Sequence, residues 1–333
     1  MSRSLSDNKN HGNTTVMMMR GYWSTAKNIA QDYQTRLVNW LRDNQPFIKQ
    51  KLQQYALLMR LDKPIGTFLL LWPTLWALWI AAEGLPSAHL LSVFIGGVFL
   101  TRSAGVVMND YADRDFDAHV ERTKMRPLAT GKVSAREALA VAFILTACAF
   151  LLVLTTNRLT VLLSFVAIPL AVIYPYMKRH TYVPQFFLGL AFSWGIPMAF
   201  AAQSNAVPRI AWLLFIANIL WAMVYDTIYA MVDRQDDIKI GVKSTAILFD
   251  DADRVFIGIF QAMLIAVFII IGRQMQWGIF YFSALLATAG LCIYQQYLIK
   301  DRLPARCFKA FLNNNWLGAI VFAGIILHYL FNA

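Results

Sequence analysis

Residues 89–117 read HLLSVFIGGVFLTRSAGVVMNDYADRDFD, a long apolar run that ends in a cluster of acidic residues. Residues 89–108 are long enough to cross the roughly 30 Å hydrocarbon core of a bilayer as a helix. Asp110, Asp113 and Asp117 follow with the spacing i, i+3, i+7, which places three carboxylates on one face of a helix. Like charges held this close repel one another unless a cation lies among them. The stretch therefore predicts a membrane helix whose polar end binds a cation.

A second acidic cluster lies far downstream, where residues 225–237 read YDTIYAMVDRQDD. Asp226, Asp233 and Asp237 have the spacing i, i+7, i+11 and share a helix face, with Tyr229 between them. This cluster also lies where a long apolar run ends. We therefore expect two acidic clusters at the ends of two membrane helices to act together.

The chain as a whole has the composition of a membrane protein. Its residues are 58% hydrophobic and only 15% charged, whereas about a quarter of the residues of a soluble domain are charged. The apolar residues form continuous blocks and do not alternate, which excludes a β-barrel. We predict an all-α fold, a polytopic membrane bundle of about nine transmembrane helices, at approximately residues 65–82, 89–108, 137–156, 159–176, 185–203, 210–230, 254–272, 277–298 and 315–331.

The distribution of charge predicts the orientation of the bundle. A net charge of +11 suggests nucleic acid binding in a soluble protein, but basic residues collect on the cytoplasmic side of membrane proteins. Here they fall mainly in the loops after the second, fourth, sixth and eighth predicted spans. We therefore expect the N-terminus and both acidic clusters to face the cytoplasm, and we expect no nucleic acid partner.

Two regions are predicted along the chain. Residues 1–55 form a polar N-terminal extension, which we expect to be partly disordered. Within it, apolar residues recur at helical spacing between basic residues, a pattern that fits a helix lying at the membrane interface. A solvated helix fits that pattern equally well. Residues 56–333 form the transmembrane domain.

Two carboxylate clusters that face each other across a bundle can hold Mg²⁺ against a diphosphate, because this ion prefers carboxylate, water and phosphate oxygens. The chain has no Walker-type glycine loop, so a lipid diphosphate with its tail among the helices fits better than a nucleotide. Mg²⁺ would activate the leaving diphosphate, and apolar walls would shield an allylic cation from water. The basic residues available beside the clusters for the phosphate oxygens are Arg122, Lys124, Arg126, Arg234, Lys239 and Lys243.

Other interpretations of the acidic clusters were weighed against this one. Each cluster alone would also fit a helix cap, a solvated loop or a structural Ca²⁺ site. Both together would fit a cation-coupled transporter, but transporters place their acidic residues near the middle of the bilayer and not at the ends of spans. A structural membrane subunit would leave the paired clusters unexplained. The sequence therefore favours an enzyme.

Several long motifs occur in one order along the chain. They are MRLDKPIG (59–66), NDYADRDFD (109–117), RTKMRPLATG (122–131), YPYMKR (174–179), YDTIYAMVDRQDD (225–237) and IGVKST (240–245). In this order they resemble the UbiA superfamily of intramembrane prenyltransferases, and the resemblance covers about residue 56 to the end. The chain departs from the family pattern at Asp250, where the family often has glycine.

The resemblance implies a Mg²⁺-dependent enzyme of the bacterial inner membrane. It would transfer a polyprenyl group from polyprenyl diphosphate to the ring carbon ortho to the hydroxyl of an aromatic acceptor. The segments at 59–66 and 174–179 resemble the branch that uses 4-hydroxybenzoate, in ubiquinone biosynthesis. A naphthoate, homogentisate, chlorophyllide or haem stays open as an alternative acceptor, and protein partners stay open too.

The resemblance also assigns roles to residues. The implied catalytic residues are Asp110, Asp113, Asp117, Asp226, Asp233 and Asp237, and all of them except Asp226 are implied Mg²⁺ ligands. The implied substrate-binding residues are Asn109, Arg122, Lys124, Arg126, Tyr174, Lys178, Arg179, Tyr229 and Lys243. Arg60 and Lys63 are weaker candidates for binding the acceptor carboxylate, because snorkelling towards lipid headgroups explains them equally well.

Overall fold

The structure is a computed structural model. It describes the backbone of residues 7–117 and 123–331, and within these ranges it describes all side chains except those of residues 7–26, 28, 30, 37, 41 and 115–117. The chain divides into two compact units, Met1–Tyr55 and Ala56–Ala333. The first unit consists of the greater part of a single long helix, α1 (Asp7–Leu58).

The described residues of the second unit contain helices and no β-strand. In chain order the helices are α2 (Ile65–Ala82), α3 (Ala88–Asp117), α4 (Ala135–Val153), α5 (Arg158–His180), α6 (Pro184–Ser193), α7 (Gly195–Ser204), α8 (Arg209–Ile240), α9 (Thr245–Leu248), α10 (Asp253–Gln274), α11 (Ile279–Leu298) and α12 (Pro304–Phe331). Within the described ranges, nine helical segments are long and apolar enough to cross a membrane, with α6 and α7 together forming one of them. The predicted all-α bundle is therefore confirmed.

Three helices extend further than their apolar runs. The first acidic motif is the last part of α3, the second belongs to α8, and α12 begins at Pro304 and not near residue 315 as predicted. The added turn of α12 buries Cys307, Ala310 and Phe311 while its charged residues lie on other faces. Hydropathy marks where a helix leaves the apolar layer, but backbone hydrogen bonding continues beyond that point.

Three consecutive asparagines on α12 each bond a different neighbouring helix. The Oδ1 atom of Asn313 accepts from Gln295 of α11 at 3.1 Å. The Oδ1 of Asn314 accepts from the indole of Trp221 on α8 at 2.9 Å, and that of Asn315 accepts from the indole of Trp72 on α2 at 3.0 Å. Hydrogen bonds between polar side chains hold helices together inside a membrane bundle, where apolar burial does little. The triplet Asn313–Asn315 therefore ties α2, α8 and α11 to α12.

A second set of polar contacts joins the loops near the second acidic motif. Asp253 is fully buried at the start of α10, and the guanidinium of Arg302 donates to both of its carboxylate oxygens at 2.8–3.1 Å. This hydrogen bonding raises the pKa of Arg302, which keeps its guanidinium charged. Arg234 on α8 reaches Asp253 at 3.8 Å and also pairs with Asp250. The end of α8 is thereby held against the loop between α11 and α12.

Asp250 has a φ of 45°, in the left-handed region that favours glycine. This conformation explains why glycine suits the position in related sequences. Here the residue is an aspartate, and its carboxylate pairs with Arg234. The departure from the family pattern therefore places an ion pair at this turn.

We expect Arg302→Ala to lower the thermal stability of the protein, because it leaves the buried carboxylate of Asp253 with the N–H of Arg254 and the more distant guanidinium of Arg234. Breaking a buried ion pair by removing one partner costs about 3–5 kcal/mol. The matched control is Arg306→Ala, which removes a 2.7 Å pair with the half-exposed Asp301 and should cost about 0–1 kcal/mol. Melting temperatures of both variants in detergent test this difference. Equal decreases in melting temperature would show that burial of Asp253 does not raise the cost of removing its partner.

Candidate active site

One cavity of about 790 Å³ brings the two acidic motifs together. Asn109 and Asp113 of α3 line it from one side, and Asp226, Asp233 and Asp237 of α8 line it from the other. The helical spacing within each motif explains why these side chains share one face. The remaining predicted residues that line the cavity are Arg60, Lys63, Arg126, Tyr174, Lys178, Arg179, Tyr229 and Lys243.

Some predicted residues do not line the described cavity, namely Asp110 and Lys124 together with the basic residues Arg234 and Lys239. Asp110 is buried, and its Oδ1 atom is bound by Arg60 at 2.7 Å and by Arg126 at 3.0 Å. Lys124 is exposed. The side chain of Asp117 and the whole of Arg122 lie outside the described residues.

The carboxylate of Asp113 has one occupied and one open oxygen. Its Oδ2 accepts from the amide of Asn109 at 3.1 Å and pairs with the ammonium of Lys178. The Oδ1 of Asn109 in turn accepts from the hydroxyl of Tyr174 at 3.3 Å. The Oδ1 of Asp113 is buried and has no hydrogen-bond partner in the described part of the chain. A buried oxygen in this state can accept a hydrogen bond from a water or bind a cation.

The basic residues of the site are brought together by backbone contacts. Arg179, at the end of α5, donates to the carbonyl of Ala112 on α3. The backbone N–H of Lys243 donates to the carbonyl of Lys178 at 3.0 Å, which joins the loop after α8 to the end of α5. Three cations from distant parts of the sequence therefore lie beside the acidic motifs, where they can bind the oxygens of an anionic ligand.

The donor set suits Mg²⁺. Among the described residues, no three His, Cys, Asp or Glu side chains form a ready-made metal site. Mg²⁺ usually binds through one or two carboxylates, several waters and substrate phosphates, and does not need an all-protein cage. The unpartnered oxygen of Asp113 and the facing Asp233 and Asp237 therefore fit a metal that arrives with a phosphorylated ligand.

The opposite wall of the cavity is apolar. Phe68 and Leu69 of α2 face it, together with Phe311 and Leu312 of α12. The ring of Tyr229 packs against Phe311 with the centroids 4.7 Å apart. Phe68 and Leu312 are more than one third exposed, so this wall continues to the outer surface of the bundle. A hydrocarbon chain can therefore lie in the cavity and leave it between α2 and α12.

Two cavity-lining residues were missed in the sequence. The Nε of Arg102 on α3 and the hydroxyl of Tyr225 on α8 are buried, and neither has a hydrogen-bond partner among the described residues. Arg102 precedes Asn109 by seven residues and therefore lies on the same helix face. Burying an arginine inside an apolar span costs free energy, and such arginines usually have a function. Its position within an apolar run could therefore have identified Arg102 from the sequence.

Comparison with known proteins identifies the fold and its family. The model of the UbiA prenyltransferase family matches residues 70–325. A 4-hydroxybenzoate octaprenyltransferase from Aeromonas hydrophila is 56% identical over 282 residues, which are 85% of this chain and 98% of that protein. The protein of the same name from Nitrosococcus oceani is 58% identical over 283 residues, or 85% of this chain and 99% of the relative.

Solved structures agree with this assignment. The apo structure of a UbiA homolog from Aeropyrum pernix K1 superposes with a TM-score of 0.70 at 26% identity, covering 79% of this chain and 97% of that one. A UbiA homolog from Archaeoglobus fulgidus, solved with GPP and Mg²⁺, shares the fold with a TM-score of 0.63 at 17% identity, covering 82% and 99%. The resemblance seen in the motifs is confirmed, and the chain belongs to the UbiA prenyltransferase family.

Proposed function

We propose that this protein transfers a polyprenyl group from polyprenyl diphosphate to the ring carbon ortho to the hydroxyl of 4-hydroxybenzoate, and that it releases diphosphate. This reaction is a step of ubiquinone biosynthesis. The observation that carries the proposal is a single cavity with an acidic side, a basic side and an apolar wall open to the bundle surface. The names of relatives that are 56–58% identical support the choice of substrates.

The acidic side of the cavity would hold Mg²⁺ close to the diphosphate. Asp113, Asp233 and Asp237 are the metal-binding residues that the cavity supports best. Asp110 forms ion pairs with Arg60 and Arg126 and thereby fixes both guanidinium groups. When bound, Mg²⁺ neutralises charge on the leaving diphosphate. Asn109 and Lys178 fix the Asp113 carboxylate so that its Oδ1 faces the ligand.

The basic residues receive the leaving group. Lys178, Arg179 and Lys243 donate to diphosphate oxygens as the allylic C–O bond breaks. The resulting allylic cation lies against the apolar wall, which excludes water from it. The ortho carbon of the acceptor then forms the new C–C bond, and the ring loses its proton. The prenyl tail extends between α2 and α12.

Arg102 is the residue that best fits the acceptor carboxylate. A guanidinium recognises a carboxylate through two parallel hydrogen bonds, and the Nε of Arg102 is buried without a partner among the described residues. Arg60, one of the two candidates from the sequence, already pairs with Asp110. Lys63 lines the cavity but is exposed.

We place the protein in the bacterial inner membrane, with its N-terminus and active site on the cytoplasmic side. The bundle has nine membrane-spanning segments among the described residues. The excess of lysine and arginine in the loops at the acidic end supports this orientation. The site then opens to the compartment that supplies a water-soluble acceptor, while the prenyl donor enters from the bilayer.

The proposed reaction is tested with membranes that contain the protein, 4-hydroxybenzoate and geranyl diphosphate. We expect the prenylated acid, detected by mass spectrometry, with Mg²⁺ and no product with EDTA. Product formation that survives EDTA would contradict the metal dependence. Absence of product from folded protein that still binds the diphosphate would assign another aromatic acceptor. Absence of both product and diphosphate binding would favour the transporter interpretation.

Asp113→Asn and Asp233→Asn should each reduce turnover by at least about 100-fold, because each removes a carboxylate that we propose holds Mg²⁺ against the diphosphate. The matched control is Asp236→Asn in the same motif, since Asp236 is exposed and pairs with Lys239. We expect near-normal turnover from the control. Initial rates with equal amounts of folded protein decide the question, and full activity of either cavity variant would remove that residue from the site.

Arg102→Ala should raise the KM for 4-hydroxybenzoate by about 30-fold or more while the KM for the diphosphate stays unchanged, because it leaves the carboxylate unpaired. Arg60→Ala is the matched comparison. Since Arg60 pairs with Asp110, we expect it to alter the Mg²⁺ and diphosphate dependence more than the acceptor KM. The reverse pattern in steady-state kinetics would assign the carboxylate to Arg60.

A further inference from the structure

Gly66, in the first turn of α2, lies directly against the guanidinium of Arg102. A Cβ atom at this position would lie 2.5 Å from Nε and 2.7 Å from Cζ of Arg102, and nearer still to Nη2. Real Cβ atoms essentially never come within 3.0 Å of a neighbour. The guanidinium of Arg102 can therefore occupy this position only because residue 66 has no side chain.

Hydrogen bonds further along α2 resist a shift of its backbone that would make room for a side chain. Trp72 donates to Asn315 at 3.0 Å and Trp76 donates to the carbonyl of Gly318 at 3.0 Å, and both bonds join α2 to α12. The guanidinium is the far end of a flexible side chain, so it moves more easily than the helix. The open space beside it is the cavity that both residues line.

Gly66 also adds to the anion-binding character of this place. It is the second residue of α2. The N–H groups of Thr67 and Phe68 donate to the carbonyl of Pro64 at 2.9 and 3.1 Å, whereas the first N–H groups of a helix have no acceptor within it. Such N–H groups and the positive end of the helix dipole favour a negative charge. An anion beside Gly66 therefore meets the helix N-terminus and the Arg102 guanidinium at once.

We propose that Gly66 is a positioning residue for the acceptor: it holds no ligand through a side chain, but its missing Cβ sets the place of Arg102 and thereby the selectivity for an aromatic carboxylate. This inference rests on the proposed function, in which Arg102 binds the carboxylate. Any side chain at residue 66 pushes the guanidinium into the space that the acceptor needs. Gly66 is the last residue of the segment 59–66, whose sequence resembles that of the 4-hydroxybenzoate branch, and the proposal gives this segment a role in positioning Arg102.

The test is Gly66→Ala in the full-length protein, in membranes, with 4-hydroxybenzoate and geranyl diphosphate. We expect the KM for 4-hydroxybenzoate to rise about tenfold to 100-fold, because a shift of about 1 Å in a positioning group has effects of this size. The KM for the diphosphate and the melting temperature should not change. The matched control is Gly97→Ala, since a Cβ at this helical glycine of α3 meets nothing within 4 Å.

A double-mutant cycle separates positioning from a merely structural role. If Gly66 acts through Arg102, Gly66→Ala should cause no further loss in an Arg102→Ala background, because interacting residues are not additive. Additive losses, or equal effects of Gly66→Ala on both KM values, would overturn the inference. An unchanged acceptor KM in Arg102→Ala would instead refute the proposed role of Arg102. A normal Gly66→Ala beside a defective Arg102→Ala would refute only the role of Gly66.

Discussion

The pairing of charges at one end of a membrane bundle is the constraint on which the rest of this structure depends. Two helices carry carboxylates to the same cavity, and each carboxylate needs a cation because repulsion is strong where water is scarce. The carboxylate of Asp110 pairs with two arginines, whereas Asp113 pairs with Lys178 through one of its two oxygens. Among the cavity-lining atoms without a hydrogen-bond partner in the described part of the chain are the Oδ1 of Asp113 and the Nε of Arg102, and we propose that they mark where ligands bind.

Different helices form the charged wall and the apolar wall of this cavity. The ends of α3, α5 and α8 carry charge, whereas α2 and α12 contribute mainly apolar side chains. A diphosphate and a hydrocarbon chain of one molecule can thus be bound on different walls. In the proposed reaction, charge would separate at the border between these walls, with basic groups receiving the anion and apolar groups keeping water from the cation.

Local patterns predicted most of the fold but few of its contacts. The apolar runs identified all the spans, and helical spacing placed Asn109, Asp113, Asp226, Asp233 and Asp237 on common faces. The pairing of Arg60 with Asp110 joins residues 50 positions apart, and spacing carries no information about it. Arg102 went unnoticed because it stands alone in an apolar run, away from the motifs. Helix ends were misjudged, notably for α12, because charged turns continue helices that hydropathy ends.

The triplet Asn313–Asn315 has a consequence for the order in which the molecule is made. Trp72 and Trp221 are synthesised before α12, and in the folded bundle their indole N–H groups donate to asparagines of that later helix. Until α12 has been made, these two indoles lack their asparagine partners, and α2 lacks the bond from Trp72 that joins it to α12. The side of the bundle on which we place the prenyl chain is therefore completed only when α12 joins it.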